Sequence, residues 1–271
     1  MSETLGVPLR LRAIPGTDRI DACGTYPISP GLRRSDPGAI RAELAALGVV
    51  SLVLVTDPFD APLDGFDLTR PYKPHHIINP ADGPARFSKH HRAEIRRALR
   101  QCSARQIMLS DHLPAFLALY DTLAERHGFG PQHRFGVNHF RHLADHPQDF
   151  PTFGAFQSET LVSAHIWTRY ENRLYSHLAA SSAEGYAMSA AYAVYDASIA
   201  GFAGHRITLG GVPDSAGGQP NPGLDRFKRG FANGVASPSL CGLIVDESAY
   251  TSLSSRANTS EKTGFFPAYR A

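Results

Sequence analysis

Cysteine is scarce in this chain: Cys23, Cys102 and Cys241 are the only three in 271 residues, far apart and without a C-x-x-C pair. An odd, scattered set excludes a disulfide framework and a zinc knuckle, and fits a reducing compartment. No stretch approaches the run of about 18 apolar residues that a membrane-crossing helix needs. The opening "MSETLGVPLRLRAIPG" lacks the apolar middle of a signal peptide. The expectation is a cytoplasmic protein with no membrane span, in which the sequon Asn258-Thr259-Ser260 carries no meaning. One-sided charge is missing too: 27 Lys and Arg against 25 Asp and Glu leave +2, too mild to make nucleic acid a general partner. There is no G-x-S-x-G elbow, Walker loop, G-x-G-x-x-G fingerprint or H-E-x-x-H helix, so hydrolase, NTPase and dehydrogenase readings lose their best support. His75-His76 and His90-His91 are adjacent pairs, a poor chelate because neighbours project differently, and no metal is expected.

What is present is a globular composition, 42% hydrophobic and 19% charged, of a length that favours one large or two small domains. In "DPGAIRAELAALG" Asp36 caps, Pro37 opens and Gly48 ends a helix, which runs into the buried strand "VVSLVLVTD". "YKPHHIIN" reads as a weaker strand with Pro74 at an edge or bulge. Ser88 caps "KHHRAEIRRALRQC", where Ile95, Ala98, Leu99 and Cys102 form an apolar seam and Lys89, Arg92, Arg96, Arg97 and Arg100 lie largely elsewhere. Further on come a strand at 106–110, helices from Asp111 and around "VNHFRHLAD", and three β stretches, the last two joined by a tight turn at Glu171-Asn172. A long Ala-rich helix at 184–204, the strand "RITLGG", the short helix "GLDRFKRGFANG" and a last buried strand "SLCGLIVDES" complete the pattern βααβββαβαβ from residue 106. Phe265, Phe266 and Tyr269 near the end are apolar enough to dock on the body of the protein or on a second copy in a homodimer.

This order is similar to the GNAT acyltransferase fold, and two motifs carry a closer resemblance. "RITLGG", a Gly-rich loop and "GLDRFKRGF" resemble the strand, loop and helix of the FemAB-like branch, with Phe227, Lys228 and Phe231 as its Phe-Lys-x-x-Phe. "SKHHRAEIRRA" resembles the S-x-x-x-R-x-x-I-R-x-A helix that precedes the catalytic unit in such proteins. The resemblance covers about 88 to 246. It implies an α/β fold with a mixed, mostly antiparallel sheet flanked by helices. A catalytic domain at 88–271 would follow a smaller, degenerate N-terminal α/β unit at 1–87. It also implies acyl transfer to an amine or hydroxyl of a cell-envelope or polysaccharide precursor, such as an amino sugar or peptidoglycan-type acceptor.

The chain lacks the Q/R-x-x-G-x-G/A loop whose amides grip the coenzyme A pyrophosphate, and the equivalent place reads "AASSAEGYAMS". Ser181, Ser182 and Gly185 precede a helix and are the donor-binding candidates there, with capping as their simpler role. Acyl-CoA and aminoacyl-tRNA both stay open as donor, tRNA being then a partner. Lys228 is the candidate for stabilising the developing oxyanion. Phe227 and Phe231 would anchor its helix, Gly230 would allow a close approach, and the loop before it would close over substrate. Arg226, Arg229, Arg92 and Arg96 are candidates for holding an anionic substrate, with Phe227 a further substrate-binding candidate. His165 and His177, on the central strands, are the candidate bases. The alternative is a non-catalytic module of the same fold that holds an anionic glycan precursor or RNA on its basic helix.

Overall fold

A computed structural model of the chain describes residues 1–25, 28–85, 87–130, 134–212, 221–256 and 265–270. The contacts separate into two compact units, residues 1–74 with 236–271, and residues 75–235. That division is not the one expected at residue 87, and the reason lies in where the last strand pairs.

In the first unit β1 (Arg10–Ala13) and β2 (Ile20–Cys23) form an antiparallel pair that sets Arg12 opposite Asp21. Helix α1 (Pro37–Ala46) starts as its sequence demands, Pro37 at the first position and the Asp36 carboxylate accepting from the Ala39 amide at 3.0 Å. Gly48, at φ 72°, turns the chain into β3 (Val49–Val55), whose Val49, Val50, Leu52 and Leu54 are buried. β4 (Leu68–Pro71) follows.

The second unit opens with β5 (His75–Ile78), which is fully buried and lies inside its sheet, with Pro74 just outside it. The expected edge position is therefore wrong: proline's missing N–H never enters the ladder. α2 (Lys89–Leu99), β6 (Ser103–Ile107), α3 (Leu109–Arg126) and α4 (Val137–Asp145) come next. α3 begins at Leu109 without a side-chain cap, so Asp111 sits in its first turn instead of capping it, and β6 ends earlier than expected. β7 (Thr152–Gln157), β8 (Thr160–Tyr170) and β9 (Arg173–Ser181) form the expected meander, with Glu171 at φ 52° in the tight turn. The long Ala-rich helix is in fact two, α5 (Ala183–Ala187) and α6 (Ala190–Gly201), broken at Ser189, which is left-handed and donates its hydroxyl to Glu94. β10 (Arg206–Gly211), α7 (Pro222–Arg229) and β11 (Gly234–Ala236) complete the second sheet, in the order β11-β5-β10-β9-β8-β7-β6. Alternation along β8 sends Trp167 toward α2 and α6 and Ile166 toward α3 and α4, so helices cover both faces.

The chain then returns to the first unit. β12 (Ser239–Ile244) is the buried strand expected from "SLCGLIVDES", but it pairs antiparallel with β3 on one side and β4 on the other, giving the sheet order β1-β2-β3-β12-β4. α8 (Glu247–Arg256) follows. Two of the three terminal aromatics dock on this same unit, while Phe265 stays exposed: Phe266 closes over Gly242, where a Cβ would lie 2.6 Å from the ring, and the Tyr269 hydroxyl meets Ser51 Oγ at 2.7 Å. Among the described residues no helix is long and apolar enough to cross a membrane.

Candidate active site

The site starts from a gap between two strands. β9 and β10 pair in parallel through Arg206↔Arg173, Ile207↔Leu174 and Thr208↔Tyr175, and then the pairing stops although both strands continue. On the β10 side the ladder to β5 also shifts between Thr208 and Gly211, where Gly210 adopts φ 79°. On the β9 side His177 is an extra residue: Ile166 pairs with Leu178 and Trp167 with Ser176, so nothing on β8 faces it. A bulge of this kind re-aims a side chain, and here it does so where the strands part.

Lys228 reaches this gap from α7. Asn221 caps the helix by accepting from the Gly223 and Leu224 amides, and Pro222 fills its first position. The Lys228 ammonium is buried and donates to the Gly211 carbonyl at 2.6 Å, and loss of water pulls its pKa down to about 8. Phe227 and Phe231 hold the helix by ring contacts with Tyr195 of α6, at 4.8 and 5.4 Å between centroids. The remainder of the expected substrate-closing loop, residues 213–220, lies outside the described residues.

His91 fixes this arrangement, and its sequence context did not suggest it. Ser88 caps α2 by accepting from the His91 amide, and its hydroxyl also meets ring Nδ1 at 2.8 Å. Nε2 lies 2.8 Å from the Phe227 carbonyl. A carbonyl only accepts, so Nε2 carries the proton and Nδ1 accepts from Ser88, a neutral tautomer with both nitrogens satisfied. Burial favours the same neutral form by lowering the pKa. The close approach expected at Gly230 is by this ring.

His165 and His177 reach the gap from opposite faces of the sheet. His165 is fully buried, stacks on Tyr195 at 4.5 Å, and has Nε2 3.0 Å from Ser176 Oγ. Burial, the Lys228 charge and His177 together hold its pKa well below the ordinary imidazole value. Burial also raises the Tyr195 phenol to about 12, against a smaller opposite effect from its bond to Ser176. His177 faces α4 instead, its Nε2 3.3 Å from Nε2 of His139, which stacks on Phe135. Burial first, and His139 second, lower the His177 pKa to about 4. His139 had no signal in the sequence beyond a place on an amphipathic helix.

These imidazoles make stability depend on pH in a fixed direction. His177 is neutral in the folded protein until about pH 4, whereas an unfolded histidine takes up its proton near pH 6.5. Its contribution is therefore fully present above about pH 6.5 and is lost as pH falls toward 4. The melting temperature should be level above neutrality and fall through that window, and His177→Gln should flatten the fall. An unchanged profile in the variant would show that this imidazole does not govern it.

The other candidates are dispersed. Arg92 and Arg96 are exposed on α2, and Arg92 donates to the Phe87 carbonyl. Arg226 and Arg229 are exposed on α7, where Arg229 Nη1 lies 3.5 Å from Asp225, whose other oxygen is 2.8 Å from His76 Nε2. Ser181 Oγ is 2.8 Å from Ser163 Oγ, and Ser182 caps α5 by accepting from the Gly185 amide at 3.1 Å. Gly185 packs directly on β8, for a Cβ there would fall 2.1 Å from the Val162 oxygen. Among the described residues no group of three His, Cys, Asp or Glu is placed to hold a metal ion.

No protein-family model and no curated protein matches the chain. Solved structures do. FemX is 12% identical with a TM-score of 0.63, over 90% of this chain and 85% of that one. A C-terminal domain assigned to a lysylphosphatidylglycerol synthetase of Agrobacterium fabrum is 12% identical with a TM-score of 0.56, over 94% and 86%. L-PGS from Bacillus licheniformis is 14% identical with a TM-score of 0.55, over 90% and 82%. The chain thus has the fold of FemX and L-PGS, with two strands that part beside the Phe-Lys-x-x-Phe helix.

Proposed function

We propose that the protein is an acyltransferase that moves an activated acyl or aminoacyl group onto an amine or hydroxyl of a cell-envelope or polysaccharide precursor. The observation that carries this reading is the buried Lys228 ammonium at the parting of β9 and β10, with neutral imidazoles on either side. The acceptor nitrogen attacks the donor carbonyl, a C–N bond forms, and the carbonyl oxygen becomes negative before the bond to the thiol or ester leaving group breaks. With a pKa of about 8, Lys228 is mostly charged at neutral pH and stabilises that oxygen. His177 takes the proton released by the acceptor and passes it to His139, whose half-buried ring lies nearer solvent. His165 is the poorer base, since Lys228 opposes its protonation and Ser176 holds its Nε2, so it serves to position Tyr195 and Ser176.

Acyl-CoA and aminoacyl-tRNA are the donor classes, with Ser181, Ser182 and Gly185 as the nearby donor-binding residues. The Ser182 hydroxyl is already committed to its cap, which leaves backbone groups for that contact. One observation favours the second reading, a binding module for an anionic glycan precursor or RNA: Arg92, Arg96 and Arg97 on α2 and Arg100 at its C-cap are all exposed. One experiment separates the two. The protein is incubated with acetyl-CoA, longer acyl-CoA or aminoacyl-tRNA and a panel of amino sugars, and products are read by mass spectrometry. Transfer to one acceptor is expected. Intact donors throughout, together with RNA binding that weakens steeply with salt, would replace the enzyme by the binding module.

A further inference from the structure

The first unit holds a cavity of about 530 Å³ that plays no part in the site above. Its walls include Ile14, Val53, Phe266 and Tyr269, with Arg12 and Arg270 among them. Both guanidiniums are tied to one carboxylate. Asp21 is completely buried and receives Arg12 Nε at 2.8 Å, and Arg270 through both Nε and Nη2. Tyr269 adds its hydroxyl at 3.3 Å. Among the described residues two cations thus share one anion, and no acidic residue lines the cavity. Only Nε of Arg12 is engaged in that pairing, so among the described residues its Nη groups remain to donate, while Ile14, Val53 and Phe266 supply the apolar part of the wall.

A guanidinium with free N–H groups beside apolar side chains is matched by a ligand with an anionic head and an apolar body. Guanidinium N–H groups in a planar fork fit the two oxygens of a carboxylate. The volume lies within the range of about 300–1,000 Å³ typical of small-molecule sites. We propose that this cavity is a binding site for a small monocarboxylate with a flat apolar body, its head on Arg12 and its body between Val53 and Phe266. Because Phe266, Tyr269 and Arg270 belong to the C-terminal segment, such a ligand would also fasten that segment to the sheet.

The test uses 4-phenylbutyrate and its uncharged amide, titrated into the whole protein by calorimetry and followed by melting temperature. The acid should bind, raise the melting temperature, and outbind the amide by at least tenfold. Arg12→Gln should weaken the acid at least tenfold while leaving the amide unchanged, since Asp21 keeps both bonds from Arg270 and the unit stays folded. Val53→Phe, which fills the cavity, should abolish binding of both. Equal binding of acid and amide would remove the carboxylate from the proposal. Wild-type binding by both variants, or no binding of the acid at millimolar concentration, would remove the site. If Arg12→Gln fails to fold, Val53→Phe alone decides.

Discussion

Replacing Lys228 by methionine should lower kcat by about a hundredfold or more and, at the same time, make the protein more stable. The first effect is the loss of one preorganised donor to a developing oxyanion, which typically removes about 10²–10³ in kcat. The second follows from the lysine's pKa of about 8 against its ordinary value of 10.5. Below pH 8 both states hold the proton, and the folded state bears the whole cost of a buried ammonium, about 3 kcal/mol for a shift of that size. As pH rises from 8 to 10.5 the folded state sheds the proton first and the cost disappears. Methionine fills nearly the same space with no charge, so at pH 7 it should raise the melting temperature, by roughly 2–4 °C for each kcal/mol recovered. Lys228→Arg should restore only part of the activity, because a planar guanidinium does not fit the place of a compact ammonium. Kinetics at saturating substrate, together with thermal melts, check both halves. A stable variant with unchanged kcat would reduce Phe-Lys-Arg-Gly-Phe to a packing motif.

Gly230→Ala should be among the most damaging single changes to stability in the second unit. A Cβ there would lie 1.9 to 2.3 Å from three atoms of the His91 ring. The ring cannot swing aside without giving up its contacts to Ser88 and to the Phe227 carbonyl, and it is 1% exposed. Overpacking costs about 1–3 kcal/mol, and each lost hydrogen bond adds about 1 kcal/mol, for a total of roughly 3–5 kcal/mol. Gly230 has φ −72°, open to any residue, so the whole loss is steric. His91→Ala should therefore rescue Gly230→Ala, the double variant losing less than the sum of the singles in urea melts. Strict additivity would mean that the ring does not hold this helix.

How much of this was legible depended on whether the signal was local. The Asp36-Pro37 start of α1, the turn at Glu171-Asn172 and the anchoring role of Phe227 and Phe231 are written in a few neighbouring residues, and the structure has them all. The break at Ser189 was hidden because it answers to Glu94 on another helix, against a run of good helix formers. β12 read correctly as a buried strand, but burial says nothing about which strand will be its neighbour. At the site, Lys228 stood out through its flanking rings. The bulge at His177 and its meeting with His139 arise from strand register and from helix placement, neither of which any short window of sequence records. His91 was passed over as half of a poor metal pair, whereas its work is to brace the helix that carries Lys228.

The return of β12 bears on the order in which the chain is made. Synthesis delivers β3 early, with Val49, Val50, Leu52 and Leu54 ready to be covered, yet one flank of that strand is completed only by Leu240–Ile244. While residues 75–235 emerge, a contiguous unit with its own sheet and core, β3 is an open edge rich in β-branched residues, the kind that pairs with the wrong partner. The inserted unit is thus free to finish on the ribosome, whereas the unit of β3 must wait for β12. A stalled or shortened product would leave a complete second unit attached to a sticky, half-built first one.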